Sequence, residues 1–166
     1  MGREARLLAD IAALGIAHRL HEHPAVFTVE ESRAIKTEID CLHTKNLFLK
    51  DAKGAFFLIT VPAEARVDLK SVPAVIGSKR LSFGKPDEME RLIGIKPGSV
   101  TPLAMINAVA GSIQLVLDVP LAGMEDIGVH PLRNTATVTL AGTDVLKLAE
   151  LWGHQPKVAD IPKLAD

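Results

Sequence analysis

The 166-residue chain is predicted to fold as one α/β domain of the α+β type, a mixed, largely antiparallel sheet surrounded by helices. Helix-like and strand-like segments are interspersed, but without the steady rhythm of βαβ units. Two strand-like stretches, "CLHTKNLFLKD" (41–51) and "AFFLITV" (55–61), adjoin across a short turn, which is a hairpin signature. The composition is 48% hydrophobic with five Phe, one Trp and no Tyr, so the chain is rich enough in apolar residues for a core, and that core is aliphatic.

The elements follow in order. Residues 3–14 form an amphipathic helix, with Leu7, Leu8, Ile11 and Leu14 at helical spacing and Gly15 as its stop. "AHRLHEH" (17–23) is a short strand, and "TVEESRAI" (28–35) opens a helix with Thr28 as N-cap and Glu31 at the capping-box position. The 42–50 strand comes next. "AFFLITV" is apolar on both faces and is therefore central. Asp68 caps a short helix running through Val75, and "RLSFG" is a short strand. Pro86 opens a helix that Gly94 ends. Strands follow at 112–119 and 136–142, then a last helix from Gly142 or Thr143 through Trp152 and a frayed tail.

Several classes are disfavoured by composition. No apolar run approaches the roughly 18 residues of a membrane span, and the charged N-terminus lacks the pattern of a signal peptide. Arg3 weakens a myristoylation reading of Gly2. A single cysteine makes no internal disulfide, which suits a reducing cytosol. A net charge of −1 does not announce a nucleic-acid partner. Residues 66–85 are locally basic, however, with Arg66, Lys70, Lys79, Arg80 and Lys85 against Asp68. Such a run is commonly a solvated face.

The 42–50 strand holds the first candidate site. Alternation puts His43, Lys45, Leu47 and Leu49 on one face and Thr44, Asn46, Phe48 and Lys50 on the other. Lys45 thus shares a face with two leucines. Either its stem lies over them and its ammonium reaches water, or it lines a pocket whose ligand supplies the negative charge.

"KPGSVTPLAMINAVAG" (96–111) contains a Pro-Gly turn and then Thr101 as N-cap with Pro102 at the first helical position. The loop Gly98–Pro102 therefore presents main-chain amides beside a helix start, where an oxyanion or phosphate is stabilised; an ordinary capped loop reads the same way. His130 stands before Pro131 at a break in strand structure and is either an acid–base group or a turn histidine. His18, His21 and His23 suggest zinc, but His18 faces away from the other two and no cysteine pair assists. Cys41 and His43 suggest a thiol nucleophile, but their side chains are expected to diverge, and a lone cysteine is more often a small buried hydrophobe.

"TKNLFLKD", "KPGSVTP" with its G-x-x-x-P, and "DIGVHPLRNTATVTL", supported by "HPAVFTVEES" and "IGSKRLSFG", together resemble the YbaK-like aminoacyl-tRNA deacylases. These are relatives of the editing insertion of bacterial prolyl-tRNA synthetase, and the likeness is greatest to free-standing alanyl-tRNA(Pro) deacylases of the ProXp-ala/PrdX kind. The resemblance spans nearly the whole chain and implies a single editing domain over 1–166. It implies a cytoplasmic, translation-fidelity hydrolase acting on tRNA(Pro) that carries alanine, with prolyl-tRNA synthetase or an elongation factor as transient partners, and no membrane, cofactor or metal.

The roles it implies are as follows. Lys45 anchors the terminal nucleotide, Gly98 and its loop contact the reacting carbonyl, and His130 shapes the site. The aminoacyl end would meet Val29, Ile39, Asn46, Ser99, Val100, Thr101 and Pro102, with Val29 and Ile39 as apolar walls and Asn46 alternatively fixing the strand or a nearby loop. Lys50, Lys79, Arg80 and Lys85 would contact the tRNA. A ribose hydroxyl or bound water would take part in the chemistry. The rival readings are a cysteinyl-tRNA(Pro) deacylase, a non-catalytic RNA-binding module, and a structural protein with Lys45 in plain solvent.

Overall fold

A computed structural model describes residues 2–25, 31, 33, 34 and 38–165. The chain runs α1 (Arg3–Ala13), β1 (Arg19–Glu22), β2 (Leu42–Asp51), β3 (Phe56–Pro62), α2 (Val72–Ile76), β4 (Leu81–Phe83) and α3 (Pro86–Ile93). A 3-10 helix (Pro102–Asn107) follows, then β5 (Ile113–Asp118), α4 (Val119–Ala122), β6 (Ile127–Val129), β7 (Ala136–Leu140), α5 (Gly142–Leu151) and β8 (Lys157–Ala159). The helix expected at 28–35 lies largely outside the described residues.

The strands form one sheet in the order β1-β7-β6-β2-β3-β5-β8, with β4 also paired to β2. The sheet is mixed. β1/β7, β7/β6, β2/β3 and β2/β4 are antiparallel, while β2/β6, β3/β5 and β5/β8 are parallel. The expected hairpin is β2–β3, closed by Asp51 N–H donating to Ala55 O at 2.9 Å. β3 is central, as its two-sided apolar pattern requires: Leu58 enters one core, and Phe57, Ile59 and Val61 enter the other. The larger core lies under α1, α3, the 3-10 helix and α5 and holds Leu7, Ile11, Ile93, Met105 and Leu148. The smaller one lies under α2 and holds Leu49, Val72, Ile76, Leu81 and Ile161.

β2 is the organising strand because its outer edge has two partial neighbours. β6 pairs with Leu42 and His43, and β4 pairs with Leu49 to Asp51. Odd-numbered residues of β2 bond toward β3, as the bonds at His43 and Asp51 show. The main-chain groups of Asn46 therefore face the outer edge, in the interval that neither β6 nor β4 reaches. Gly84 follows β4 and donates to Phe48 O at 2.9 Å. A Cβ there would stand 2.2 Å from the Phe48 ring, which itself stacks on Phe56, so only glycine allows this approach.

Two expectations change. The C-terminal tail is not frayed: β8 adds to β5, Ile161 is buried, and Asp118 accepts from Ile161 N–H at 3.0 Å while pairing with Lys163 at 2.7 Å. The short helix begins at Val72 rather than at Asp68, whose carboxylate instead accepts from the Ser71 hydroxyl at 2.7 Å.

Asp51 secures the hairpin end. Its carboxylate accepts main-chain N–H bonds from Ala55 at 2.9 Å, Lys53 at 3.0 Å and Lys79 at 3.1 Å. These bonds, Lys79's foremost, hold its pKa below the ordinary value. Because the folded pKa is depressed, this stabilisation is complete above the usual carboxylate range, about pH 4, and is lost as pH falls through the folded pKa. Asp51→Asn is expected to lower the melting temperature at neutral pH and to flatten its decline in acid. Acid limbs of equal slope in both proteins would show that these bonds do not set the pH dependence.

Candidate functional site

Where β2 parts from β6, a cavity of about 50 Å³ is lined by His43, Thr44, Asn46, Gly128, Val129, His130 and Thr137. The Thr44 hydroxyl donates to Gly128 O at 2.6 Å and ties β2 to β6 at the mouth of the split. Asn46 is a two-sided clamp: its Nδ2 donates to Val100 O at 2.9 Å, and its Oδ1 accepts from the Thr60 hydroxyl at 2.6 Å. These contacts fix Asn46 both to the neighbouring strand β3 and to the 98–102 loop.

The held loop has the local structure its sequence dictates. Thr101, fully buried, caps the 3-10 helix by accepting from Leu103 N–H at 3.2 Å, with Pro102 at the first helical position. Gly98 has φ 94°, a region natural to glycine. Ser99 N–H donates to Lys96 O at 3.1 Å. Among the described residues, none accepts from the N–H groups of Gly98 and Val100. A Cβ placed on Gly98 would lie 3.9 Å from Asn134 Nδ2, which brings the segment after His130 against this loop. Asn134 and Thr60 escaped the sequence reading, since neither stands in a pattern of its own.

His130 follows β6, at the predicted break before Pro131. Its Nδ1 lies 3.1 Å from Ala136 O and so carries the proton, which leaves Nε2 as the acceptor of the neutral ring. Burial pushes its pKa down, partly offset by the Ala136 bond. Thr137, beside it, shares a 2.9 Å bond with His23 Nε2, while His23 Nδ1 donates to Pro24 O at 2.9 Å. His18 Nδ1 is 3.0 Å from Ile16 O. Among the described residues, no three His, Cys, Asp or Glu side chains converge as a metal site would require.

Lys45 is half-buried on β2, opposite Val61, on the face of Leu47 and Leu49. No carboxylate pairs with it among the described residues. It does not line the small cavity, so the structure sets Lys45 and the Asn46–Val100 clamp on opposite faces of one strand, at its unpaired edge. The second lysine of the strand differs. Lys50 pairs with Glu88 at 2.9 Å and lies 5.5 Å from the Phe56 ring centroid, so its charge already has a protein partner. Lys79, Arg80 and Lys85 are exposed.

Ile39 is buried but does not line the cavity; its carbonyl lies 3.1 Å from His43 Nε2. Val29 lies outside the described residues. Cys41 and His43 do not diverge as expected. A Cβ on Gly128 would meet Cys41 Sγ at 2.8 Å and His43 Nδ1 at 3.7 Å, since residues two apart in an extended segment share a side. Burial pushes the Cys41 thiol up to about 11, so it is protonated at neutral pH and is a poor nucleophile.

The chain belongs to the aminoacyl-tRNA editing domain family, whose model matches residues 23–148 and so spans the mixed sheet, the split in β2 and the capped G-x-x-x-P loop. Among curated relatives, it is 33% identical over 162 residues to the prolyl-tRNA editing protein ProX of Acetoanaerobium sticklandii, covering 97% of this chain and 99% of that protein. It is 34% identical over 164 residues to the bovine prolyl-tRNA synthetase associated domain-containing protein 1, covering 96% and 95%. Two solved structures share the fold. One is described as a candidate trans-editing enzyme for prolyl tRNA synthetase, with TM-score 0.70, 21% identity and 99% of both chains covered. The other is the hypothetical protein APE2540, with TM-score 0.74, 22% identity and coverage of 94% and 98%. No helix among the described residues is long and apolar enough to cross a membrane.

Proposed function

We propose that this editing domain acts in trans on alanyl-tRNA(Pro), hydrolysing the ester to release alanine and tRNA(Pro). The observation that carries the reading is Lys45: a half-buried ammonium on an apolar face, without a carboxylate partner among the described residues, at the open edge of β2. Such a charge is stabilised by an anionic ligand, and the terminal nucleotide of a tRNA supplies one. The ester would lie across the unpaired edge of β2. Lys45 would hold the nucleotide on one face, and the aminoacyl group would enter the Asn46 side on the other.

The N–H groups of Gly98 and Val100, which have no acceptor among the described residues, suit an oxygen that gains negative charge as the carbonyl is attacked. The small cavity of about 50 Å³ on the Asn46 side of β2, lined by His43, Thr44, Asn46 and Gly128 to His130, favours a small aminoacyl group such as alanine over the proline ring. A second sieve of this kind is physically required. Alanine is smaller than proline by two carbons, so a proline pocket cannot exclude it sterically, and each missing methylene gives only about 1–3 kcal/mol of discrimination, so a smaller site removes the error. Neutral His130 shapes the site, and a ribose hydroxyl or bound water completes the chemistry without a metal. Prolyl-tRNA synthetase or an elongation factor would meet the protein transiently in the cytoplasm.

The test is deacylation of alanyl-, cysteinyl- and prolyl-tRNA(Pro) side by side, with and without chelator. Alanyl-tRNA(Pro) is expected to be hydrolysed fastest and prolyl-tRNA(Pro) spared, at a rate indifferent to chelation. Faster turnover of the cysteinyl ester would assign the other substrate. Binding without hydrolysis of any ester would indicate an RNA-binding module, and a rate lost to chelator and restored by zinc would overturn the metal-free mechanism.

Lys79, Arg80 and Lys85 are proposed to contact the tRNA backbone. Neutralising Lys79 and Arg80 together is expected to weaken binding and to reduce the slope of log affinity against log salt by about two, because fewer counterions are released. An unchanged slope would make the stretch a solvated face.

A further inference from the structure

Phe83 is the odd residue of the basic segment. It is a large aromatic side chain on a three-residue edge strand, and it is 63% exposed, the most of any Phe among the described residues. Packing does not account for it. Leu81, two residues earlier on the same face, is buried in the smaller core, whereas Phe83 stands clear of that core. Exposed cations flank it in sequence, Lys79 and Arg80 before and Lys85 after. Of the two acids that follow, Glu88 is neutralised by Lys50, and Asp87 is exposed beyond Lys85.

The register relates Phe83 to the site. Phe83 lies directly opposite Leu49, and opposed residues in an antiparallel pair share a face. Leu49 is on the same face of β2 as Lys45, four residues along. At about 3.3 Å per residue along the strand and about 4.8 Å between strands, the two Cα positions are about 14 Å apart on one side of the sheet. The single-stranded 3′ end of a tRNA acceptor arm has four nucleotides and so three steps, about 10 Å when fully stacked at about 3.4 Å each; partly unstacked, the same three steps reach the roughly 14 Å between Phe83 and Lys45.

We infer that Phe83 is a stacking platform for an unpaired nucleobase at the root of that single-stranded end. Lys79, Arg80 and Lys85 would take the adjoining phosphates. The inference rests on the tRNA reading above and adds a contact to it: the base whose nucleotide precedes the terminal CCA lies on the Phe83 ring while Lys45 holds the terminal nucleotide. A ring gains from any base face, so this contact gives register and affinity more than sequence choice. It also explains why an apolar ring sits among cations on an edge strand.

The test uses the full chain and an acceptor-arm minihelix RNA carrying 2-aminopurine at the first unpaired 3′ nucleotide. Binding to the wild type is expected to quench the fluorophore. Phe83→Leu, which keeps an apolar group on an exposed site, is expected to melt as the wild type does, lose the quench and bind about 5- to 100-fold more weakly. Its salt slope should be unchanged, since no cation is removed. Phe83→Trp is expected to restore both affinity and quench. Equal affinity and quench for Phe83→Leu, in a protein that hydrolyses the alanyl minihelix, would overturn the stacking contact alone. A wild type that neither binds nor hydrolyses the RNA would overturn the tRNA reading and this inference with it.

Discussion

Lys45→Ala is expected to abolish or nearly abolish deacylation of alanyl-tRNA(Pro) while leaving the melting temperature level or slightly raised. The two halves have one cause. An ammonium that no carboxylate balances among the described residues carries a desolvation cost in the free protein, and removing it relieves that cost. With substrate bound, the same charge is matched by the nucleotide and fixes the ester against the loop amides. Loss of an electrostatic contact of that kind lowers a chemical rate on the order of 10²- to 10³-fold. Lys45→Arg should also be impaired, because a planar fork does not replace a compact ammonium. Single-turnover deacylation beside a melting curve for each variant decides the matter. Near-normal hydrolysis by Lys45→Ala would remove the residue from the site, and lost activity with a large fall in melting temperature would make it structural.

Asn46→Ala is expected to reduce both rate and stability, a pattern opposite to that of Lys45→Ala. Asn46 bonds the Val100 carbonyl and the fully buried Thr60 hydroxyl at once. Truncation leaves both without partners, at about 1–3 kcal/mol for each buried group left unsatisfied. It also frees the loop that carries the Gly98 and Val100 amides, and a shift of about 1 Å in such a donor can lower a rate about 100-fold. Asn46→Asp separates the two bonds. A carboxylate still accepts from Thr60, but it cannot donate to Val100 and repels that carbonyl. Asn46→Asp should therefore fold and remain catalytically poor. Full single-turnover activity in Asn46→Asp would show that the loop holds its position without the clamp.

The sequence by itself determined what is local. The α1 stripe, the β2–β3 hairpin, the two-sided apolar β3, the Thr101-Pro102 cap and the break before Pro131 each follow from neighbours a few residues apart. So does the face that Lys45 shares with Leu47 and Leu49. The motifs "TKNLFLKD", "KPGSVTP" and "DIGVHPLRNTATVTL" carried the family as well, because together they are specific where each alone is not.

Only the tertiary structure decided which charges and amides are free. Lys45 and Lys50 look alike in sequence, yet Glu88, 38 residues from Lys50, pairs with one and leaves the other. Asn46 reaches Val100 across 54 residues. β8 and the short β6 have too few residues to carry a periodic signal, and they are strands because β5 and β7 present open edges to them. The split in β2 arises in the same way, from two partners that each cover part of one edge. Local pattern sets the direction of a side chain. Whether it then meets a partner, a core or an open edge depends on residues distant in sequence, brought there by the fold.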